Sequence, residues 1–305
     1  MRNLLLALLA LWPTLLPARV LNVEFKFTPF TGDPKADHVE AVPGKARVVL
    51  NNVPIAEHTV DKGELPVLFE AREIAPSVWI PAQSLGPAVR KGKNTLRIEF
   101  EPTDATIAYR AQLRWASVTD EPKEESEPGQ YRGSNQANEG VEEKQATGTL
   151  VMERDFTADF ARDRPRHHLA VVTSLSDEDK QRLAALVKAR AEWFKPNFTD
   201  LYKSLQGREG PDAGRVRQAK CLDAAYRAGV RIAAAPADQL DFATTGGPDV
   251  VVRARNGELF PPDRKAFARI KGDETQMCAG LVLSLVYPAR LVAVRNESGA
   301  WEVVY

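Results

Sequence analysis

Apolar and polar residues alternate with a period of two at three places in the first part of the chain. Leu21, Val23, Phe25 and Phe27 alternate with Asn22, Glu24 and Lys26. Leu96, Ile98 and Phe100 alternate with Thr95, Arg97 and Glu99, and Tyr109, Ala111, Leu113 and Trp115 with Arg110, Gln112 and Arg114. Successive strand side chains point to opposite faces, so this period buries one face and leaves the other in water. Residues 47–50 form a further short run, stopped by Asn51-Asn52, and Pro43-Gly44, Gly86-Pro87 and Gly92 punctuate the gaps. Short strands with turn signals at this spacing predict an all-β sandwich over residues 19–118.

The pattern changes at 119–148. Residues 120–129 are acidic and nearly free of aliphatic side chains, and Gly, Ser, Asn and Gln follow. Such a stretch buries too little apolar surface to offset its ordering entropy. It predicts an acidic, flexible linker, and its carboxylates lack the spacing of a calcium loop.

From 149 to 305 both periods occur, which predicts an α+β domain with helices followed by an antiparallel sheet. Ser176 is an N-cap, with Asp177, Glu178 and Asp179 in the first turn, where the helix dipole favours negative charge. Leu183, Leu186, Val187 and Phe194 make one stripe, and Pro196 ends that helix. A second helix is expected at 198–205 and a third at 216–234, with Cys221 on its inward face. Strands are expected at 149–153, 168–173, 239–243, 250–254, 279–287, 291–295 and 301–305. A short helix is expected at 262–270, and a hairpin loop at 296–299. The fold class is thus multi-domain, a sandwich followed by an α+β domain.

Length and composition agree with two cores: 305 residues, 44% hydrophobic and 27% charged. Lys plus Arg and Asp plus Glu both number 41, so no basic stripe points to nucleic acid as a partner. Residues 1–18 hold Arg2, an apolar run at 4–11, Pro13, Pro17 and the small Ala18. This is the layout of a cleavable signal peptide, with a buried N-terminal helix as the alternative. The run is too short to span a bilayer, and no later segment is long and apolar enough to be a transmembrane segment. The expected location is periplasmic or secreted. Export would place Cys221 and Cys278 in an oxidising compartment, where a disulfide is the natural reading. Two buried thiols, or one reactive thiol, are the alternatives.

Candidate chemistry is sparse. The phosphate-loop, dinucleotide, nucleophile-elbow and zinc-protease motifs do not occur in the sequence. Asp238 and Asp241, near Thr244-Thr245-Gly246-Gly247, are candidates for a general base, though an Asp there also caps or turns the chain. His168, in Arg164-Pro165-Arg166-His167-His168, is a candidate base for Cys278 as nucleophile. The plainer reading of that segment is a solvated basic stretch. Trp79, His58 and Trp115 are candidates to stack on a sugar, with Trp79 the foremost. No metal site and no cofactor is expected.

Two resemblances add to this reading. Arg47-Val-Val-Leu-Asn-Asn-Val-Pro-Ile55, Ile80-Pro81, Leu85, Val89 and the stretch from Lys91-Gly-Lys-Asn94 to Phe100 resemble the galactose-binding-like jelly-roll domains attached to many glycoside hydrolases. Asn52 stands where that family usually has Gly. The resemblance implies a sandwich that binds sugar or protein. The order of helices then sheet, with the ending Gly299-Ala-Trp301, is similar to the ketosteroid-isomerase-like α+β cone family. That family holds isomerases, hydratases and non-catalytic binding domains, and no catalytic residue transfers to this chain. The expected function is that of an exported, non-catalytic binding protein of the bacterial cell envelope, recognising a glycan or a protein partner. The alternative is a periplasmic or secreted enzyme with its site in the C-terminal cavity.

Overall fold

The structure is a computed structural model that describes residues 19–68, 73–122, 135–206, 212–261 and 263–304. The chain divides into two compact units, the first ending at Asp163 and the second beginning at Arg164.

The first unit contains β1 (Val20–Thr31), β2 (His38–Ala41), β3 (Gly44–Leu50), β4 (Val53–Val60), β5 (Gly63–Leu68), β6 (Glu73–Ile74), β7 (Val78–Pro81), β8 (Gly92–Pro102), β9 (Ala108–Pro122), β10 (Asn135–Thr147) and β11 (Leu150–Ala158). One antiparallel sheet has the order β10-β9-β1-β2-β5-β6, with β7 also paired to β1, and the other has the order β11-β8-β3-β4. The alternation read in the sequence sets the core from Val23 onward, but Leu21, expected on the same inward face, is 43% exposed, beside a shift in the β1–β9 register between Val20 and Asn22. Val23, Phe25 and Phe27 of β1 are buried, as are Leu113 of β9, Ile98 and Phe100 of β8 and Met152 of β11. Rings from the two sheets meet directly: Phe25 on Phe156 at 5.0 Å, Phe27 on Phe100 at 5.8 Å and Phe100 on Tyr109 at 5.6 Å between centroids. These pairs make the two sheets a sandwich.

Asn94 locks one end of this sandwich. It is 3% exposed. Its Oδ1 accepts from the Arg90 backbone N–H at 2.8 Å and from Asn51 Nδ2 at 2.9 Å. Its Nδ2 donates to the carbonyls of Arg90 at 2.7 Å and Gly92 at 2.8 Å. Asn51 Nδ2 also reaches the Ala88 carbonyl, and Asn51 Oδ1 accepts from the Thr95 N–H. The β3–β4 hairpin turns at Asn51-Asn52, with φ of 51° and 63°. Asn reaches the left-handed region more readily than other residues with a side chain, so Asn52 can occupy a position where Gly is usual.

The region expected to be a linker differs. The described part of 119–148 is the end of β9, all of β10 and Gly148. β10 pairs with β9 from Asn135 opposite Pro122 to Thr147 opposite Ala108, with a register shift between Asn135 and Ala137. Residues 123–134 lie outside the described residues. The boundary expected at 149 also moves, because β11 pairs with β8 from Leu150 opposite Phe100 to Ala158 opposite Gly92. Composition misled here for a physical reason. A strand at a sheet edge takes its backbone hydrogen bonds from its neighbour and tolerates charge on its side chains. Gly140 also has a specific place: a Cβ there would overlap the Trp115 ring opposite it. The Arg154 guanidinium lies 3.7 Å from the centroid of the same ring.

The second unit contains α1 (Asp177–Ala191), α2 (Thr199–Leu205), α3 (Ala213–Ala219), α4 (Cys221–Arg227), β12 (Leu240–Thr244), β13 (Asp249–Ala254), α5 (Arg264–Phe267), α6 (Asp273–Val286), β14 (Arg290–Arg295) and β15 (Trp301–Val303). The sheet is an antiparallel meander in the order β12-β13-β14-β15. Leu183 and Val187 of α1, Leu222 and Ala225 of α4 and Val282 and Val286 of α6 share its core with Val250, Val252 and Leu291. Cys221 and Cys278 form a disulfide that ties α4 to α6, with Cα atoms 6.0 Å apart.

Three expectations are corrected in this unit. Residues 279–287 were expected as a strand, but 273–286 form α6. A short apolar run fits either element. The buried positions Ala279, Val282, Leu283 and Val286 fall on one helical face, leaving Met277 71% and Leu281 52% exposed. The helix expected at 216–234 breaks at Lys220, whose φ is 52°. Residues 168–173 are not a strand, and a 3-10 turn at Pro165–His168 stands at their start.

The start of α1 and the end of the sheet are joined through one carboxylate. Ser176 Oγ accepts from the Asp179 N–H, and Asp179 Oδ2 accepts from the Ser176 N–H. Asp179 Oδ1 accepts from Trp301 Nε1 at 3.0 Å and from Arg295. Burial alone would raise the Asp179 pKa. Hydrogen bonds from Trp301, Ser176 and Arg295 outweigh it and hold the carboxyl well below the usual carboxylate range. A carboxyl lowered in this way stabilises the fold above its unfolded-state pKa of about 4, and the contribution is lost as pH falls through the native value. Asp179→Asn is expected to cost about 2 kcal/mol at pH 7, the scale of hydrogen bonds to a charged group. Thermal unfolding between neutral and acid pH should show a shallower acid loss in the variant. Parallel acid profiles in both proteins would refute this account.

Candidate functional site

The structure separates most of the residues that the sequence suggested for chemistry. Asp241 lies on β12 opposite Arg253 of β13, and the two form an ion pair at 2.7 Å on the outside of the sheet. Asp238 is exposed in the 3-10 turn Ala237–Gln239, just before β12. The Thr244–Gly247 segment follows the other end of that strand, about 15 Å away at strand rise. The Thr245 hydroxyl donates to the Asp249 carbonyl and accepts from the Gly247 N–H, so it closes the β12–β13 turn. His168 is exposed at the end of its turn. Cys278 is oxidised to the disulfide, so the pairing of a Cys278 thiolate with His168 as base is withdrawn. Among the described residues no group of three His, Cys, Asp or Glu is placed to hold a metal ion.

Trp79 is placed differently. β7 runs antiparallel to β1, with Trp79 opposite Lys26. Its neighbours Val78 and Ile80 are buried, so alternation turns the indole outward, where it is 57% exposed. Its Nε1 donates to Glu24 at 3.2 Å, which fixes the ring against β1. Lys26 donates to Glu73 at 2.8 Å and lies 3.4 Å from Glu24. The Glu73 hydrogen bond, with the charges of Glu73 and Glu24, raises the Lys26 pKa against partial burial, so the ammonium stays charged.

The same face continues across the sheet. Register aligns Trp79, Lys26, Arg114 and Val141 on β7, β1, β9 and β10, a row about 14 Å long at the usual strand spacing. Arg114 Nε donates to Gln112 at 3.1 Å, and Val141 is 48% exposed. The other two aromatic candidates are not on this row. Trp115 faces inward between Gly140 and Arg154, and His58 is half-buried on β4 of the other sheet.

Sequence reasoning named Trp79 but missed Glu24, Lys26 and Glu73 as its surroundings. The alternation in β1 already put Glu24 and Lys26 on the wet face. Nothing local showed that β7 would pair there. Glu73 arrives because Phe30, on the same side of β1 as Lys26, is covered by Val39, Val67 and Ile74, a small separate core beneath β5 and β6.

The second unit has an open trough of about 910 Å³ between α1 and residues 231–240. Its polar lining is Gln181, Lys188, Glu192, Lys195 and Arg231. Asp238, Asp241 and His168 are not part of it. Comparison with protein-family models, curated proteins and solved structures finds no match for this chain.

Proposed function

We propose that this chain is an exported, non-catalytic binding protein of the bacterial cell envelope, and that the Trp79 face takes a glycan. The observation that carries this reading is the outward indole, held in place by Glu24 and flanked by a charged, hydrogen-bonding set. An exposed aromatic ring offers a flat apolar platform to the C–H face of a sugar. The carboxylates of Glu24 and Glu73 and the ammonium of Lys26 lie beside it, where they can bond the hydroxyl rim. A ring fixed before binding loses little freedom when the ligand arrives. Export is supported by the charged and apolar start of the sequence and by the Cys221–Cys278 disulfide, a bond that persists in oxidising compartments. Among the described residues no helix is long and apolar enough to cross a membrane.

The test is binding to peptidoglycan fragments and envelope oligosaccharides by titration calorimetry. Trp79→Ala should weaken binding tenfold or more, while Trp79→Phe keeps part of it. Because the ring is exposed, the unfolding free energy of the first unit should stay within about 0.5 kcal/mol of the parent. Equal binding by parent and Trp79→Ala, or no binding of any of these glycans by the parent, would overturn the proposal.

A further inference from the structure

The trough beside α1 belongs to the second unit and shares no residue with the Trp79 face. The sequence of α1 explains one wall. Leu183, Val187 and Arg190 turn to the core, and Arg190 Nε donates to the Val286 carbonyl at the end of α6. The neighbouring side of the helix then presents Gln181, Ala184, Ala185 and Lys188. Its middle is alanine, so no long side chain keeps another backbone away. The facing wall is the chain at 231–236, anchored by the Ala235 N–H on the Leu259 carbonyl. Ile232, Ala234 and Pro236 line that side, and Phe194 and Leu240 are buried at the base.

The rim is cationic. Lys188 stands in the last turn of α1, and Lys195 in the turn that follows. Both are exposed, and among the described residues no carboxylate lies within ion-pair distance of either. Arg231, on the opposite rim, is fixed by donating to the carbonyls of Val230 at 2.6 Å and Tyr226 at 3.0 Å, with its guanidinium 4.0 Å from the Tyr226 ring centroid. Among the described residues, Glu192 is the one carboxylate in the lining, against the three cations Lys188, Lys195 and Arg231.

We infer that this trough is a docking site for an acidic amphipathic helix of a protein partner. A narrow apolar stripe on such a helix would lie on Ala184, Ala185 and Ile232, and carboxylates flanking the stripe would meet Lys188, Lys195 and Arg231. The charge of the rim selects the sign of the partner. The small side chains of the α1 wall and the open top favour a helix laid along the trough over a single acyl chain, which would leave one side in water.

The experiment uses the full chain and three probes. The first is a labelled synthetic helix of about 18 residues, long enough to run past both lysines, with Leu and Ala on one face and Glu on the other. The second is the same helix with Lys for Glu, and the third is sodium oleate. Fluorescence anisotropy should show binding of the acidic helix and at least tenfold weaker binding of the basic one. Raising salt from about 20 mM to about 500 mM, which shortens the Debye length several-fold, should weaken the acidic helix strongly. The double variant Lys188→Glu with Lys195→Glu should reverse the preference. Ala185→Trp, at an exposed position that spares the core, should abolish binding while leaving the unfolding midpoint in place. Equal binding of both helices, no binding of the acidic helix, or oleate binding that Ala185→Trp removes while the helix does not bind, would each overturn the proposal.

Discussion

Asn94→Asp is expected to destabilise the first unit more than Asn94→Ala at neutral pH, although Asp has the shape of Asn. The native amide uses both faces: it accepts from the Arg90 N–H and Asn51, and donates to the carbonyls of Arg90 and Gly92. Alanine leaves those buried partners without the amide, at a cost of about 3 kcal/mol. An ionised carboxylate keeps the two accepted bonds. It also sets a negative charge against two carbonyl oxygens in a site that is 3% exposed, which costs more than an unmade bond. The buried carboxyl should titrate high, because burial and the facing carbonyls both disfavour its charge. A group raised in the native state gains stability as pH falls, so mild acid should restore part of the loss in Asn94→Asp and none in Asn94→Ala. Urea unfolding at neutral and mildly acid pH measures both. An Asp variant as stable as the parent at neutral pH would falsify the role given to the amide donors.

Removing the Cys221–Cys278 disulfide should lower the stability of the second unit by about 4 kcal/mol, the chain-entropy value for a loop of this length. The bond spans 57 residues and closes α4 onto α6, so its loss frees the unfolded chain over much of the unit. Domains are stable by only about 5–15 kcal/mol, so the double variant Cys221→Ser with Cys278→Ser should melt far earlier or fail to fold. The transition of the first unit should not move, because the bond lies wholly within the second. Calorimetry of parent and variant, with alkylation of the denatured parent to show no free thiol, tests this. Two alkylated cysteines in the parent, or an unchanged second transition in the variant, would refute it.

Both results bear on what a single chain reveals. The alternation in β8, in β9 and in β1 from Val23 onward showed which side chains enter the sandwich core, because the two faces of a strand are fixed by backbone geometry. Leu21, beside the register shift at the start of β1, escaped it. The N-cap at Ser176 was equally legible, because its bond to the first turn is local; that Asp179 bonds back to Ser176 to close a capping box came from the structure. The role of Asn94 was half legible. Gly92-Lys93-Asn94 marks a tight turn, but the contact with Asn51 joins residues that meet only when β3 pairs with β8. β10 was invisible to composition, because its order comes from β9 and not from its own side chains. α6 was misread because an apolar run has no period until one face is packed, and the disulfide with α4 helps to fix that face.

The candidate site divides in the same way. The sequence determined by itself that Glu24 and Lys26 face water, that Trp79 stands among short strands, and that two cysteines are available to pair. It also determined the alanines and lysines of α1, whose spacing follows from the helix repeat. Only the tertiary structure decided that β7 lies against β1, which brings Trp79, Glu24, Lys26 and Glu73 together from positions up to 55 residues apart. Only the tertiary structure laid residues 231–240 beside α1 to make a trough of its alanine face. Local periodicity specifies which way a side chain points. Which neighbour it meets depends on contacts distant in the chain, and those form only as the whole unit packs.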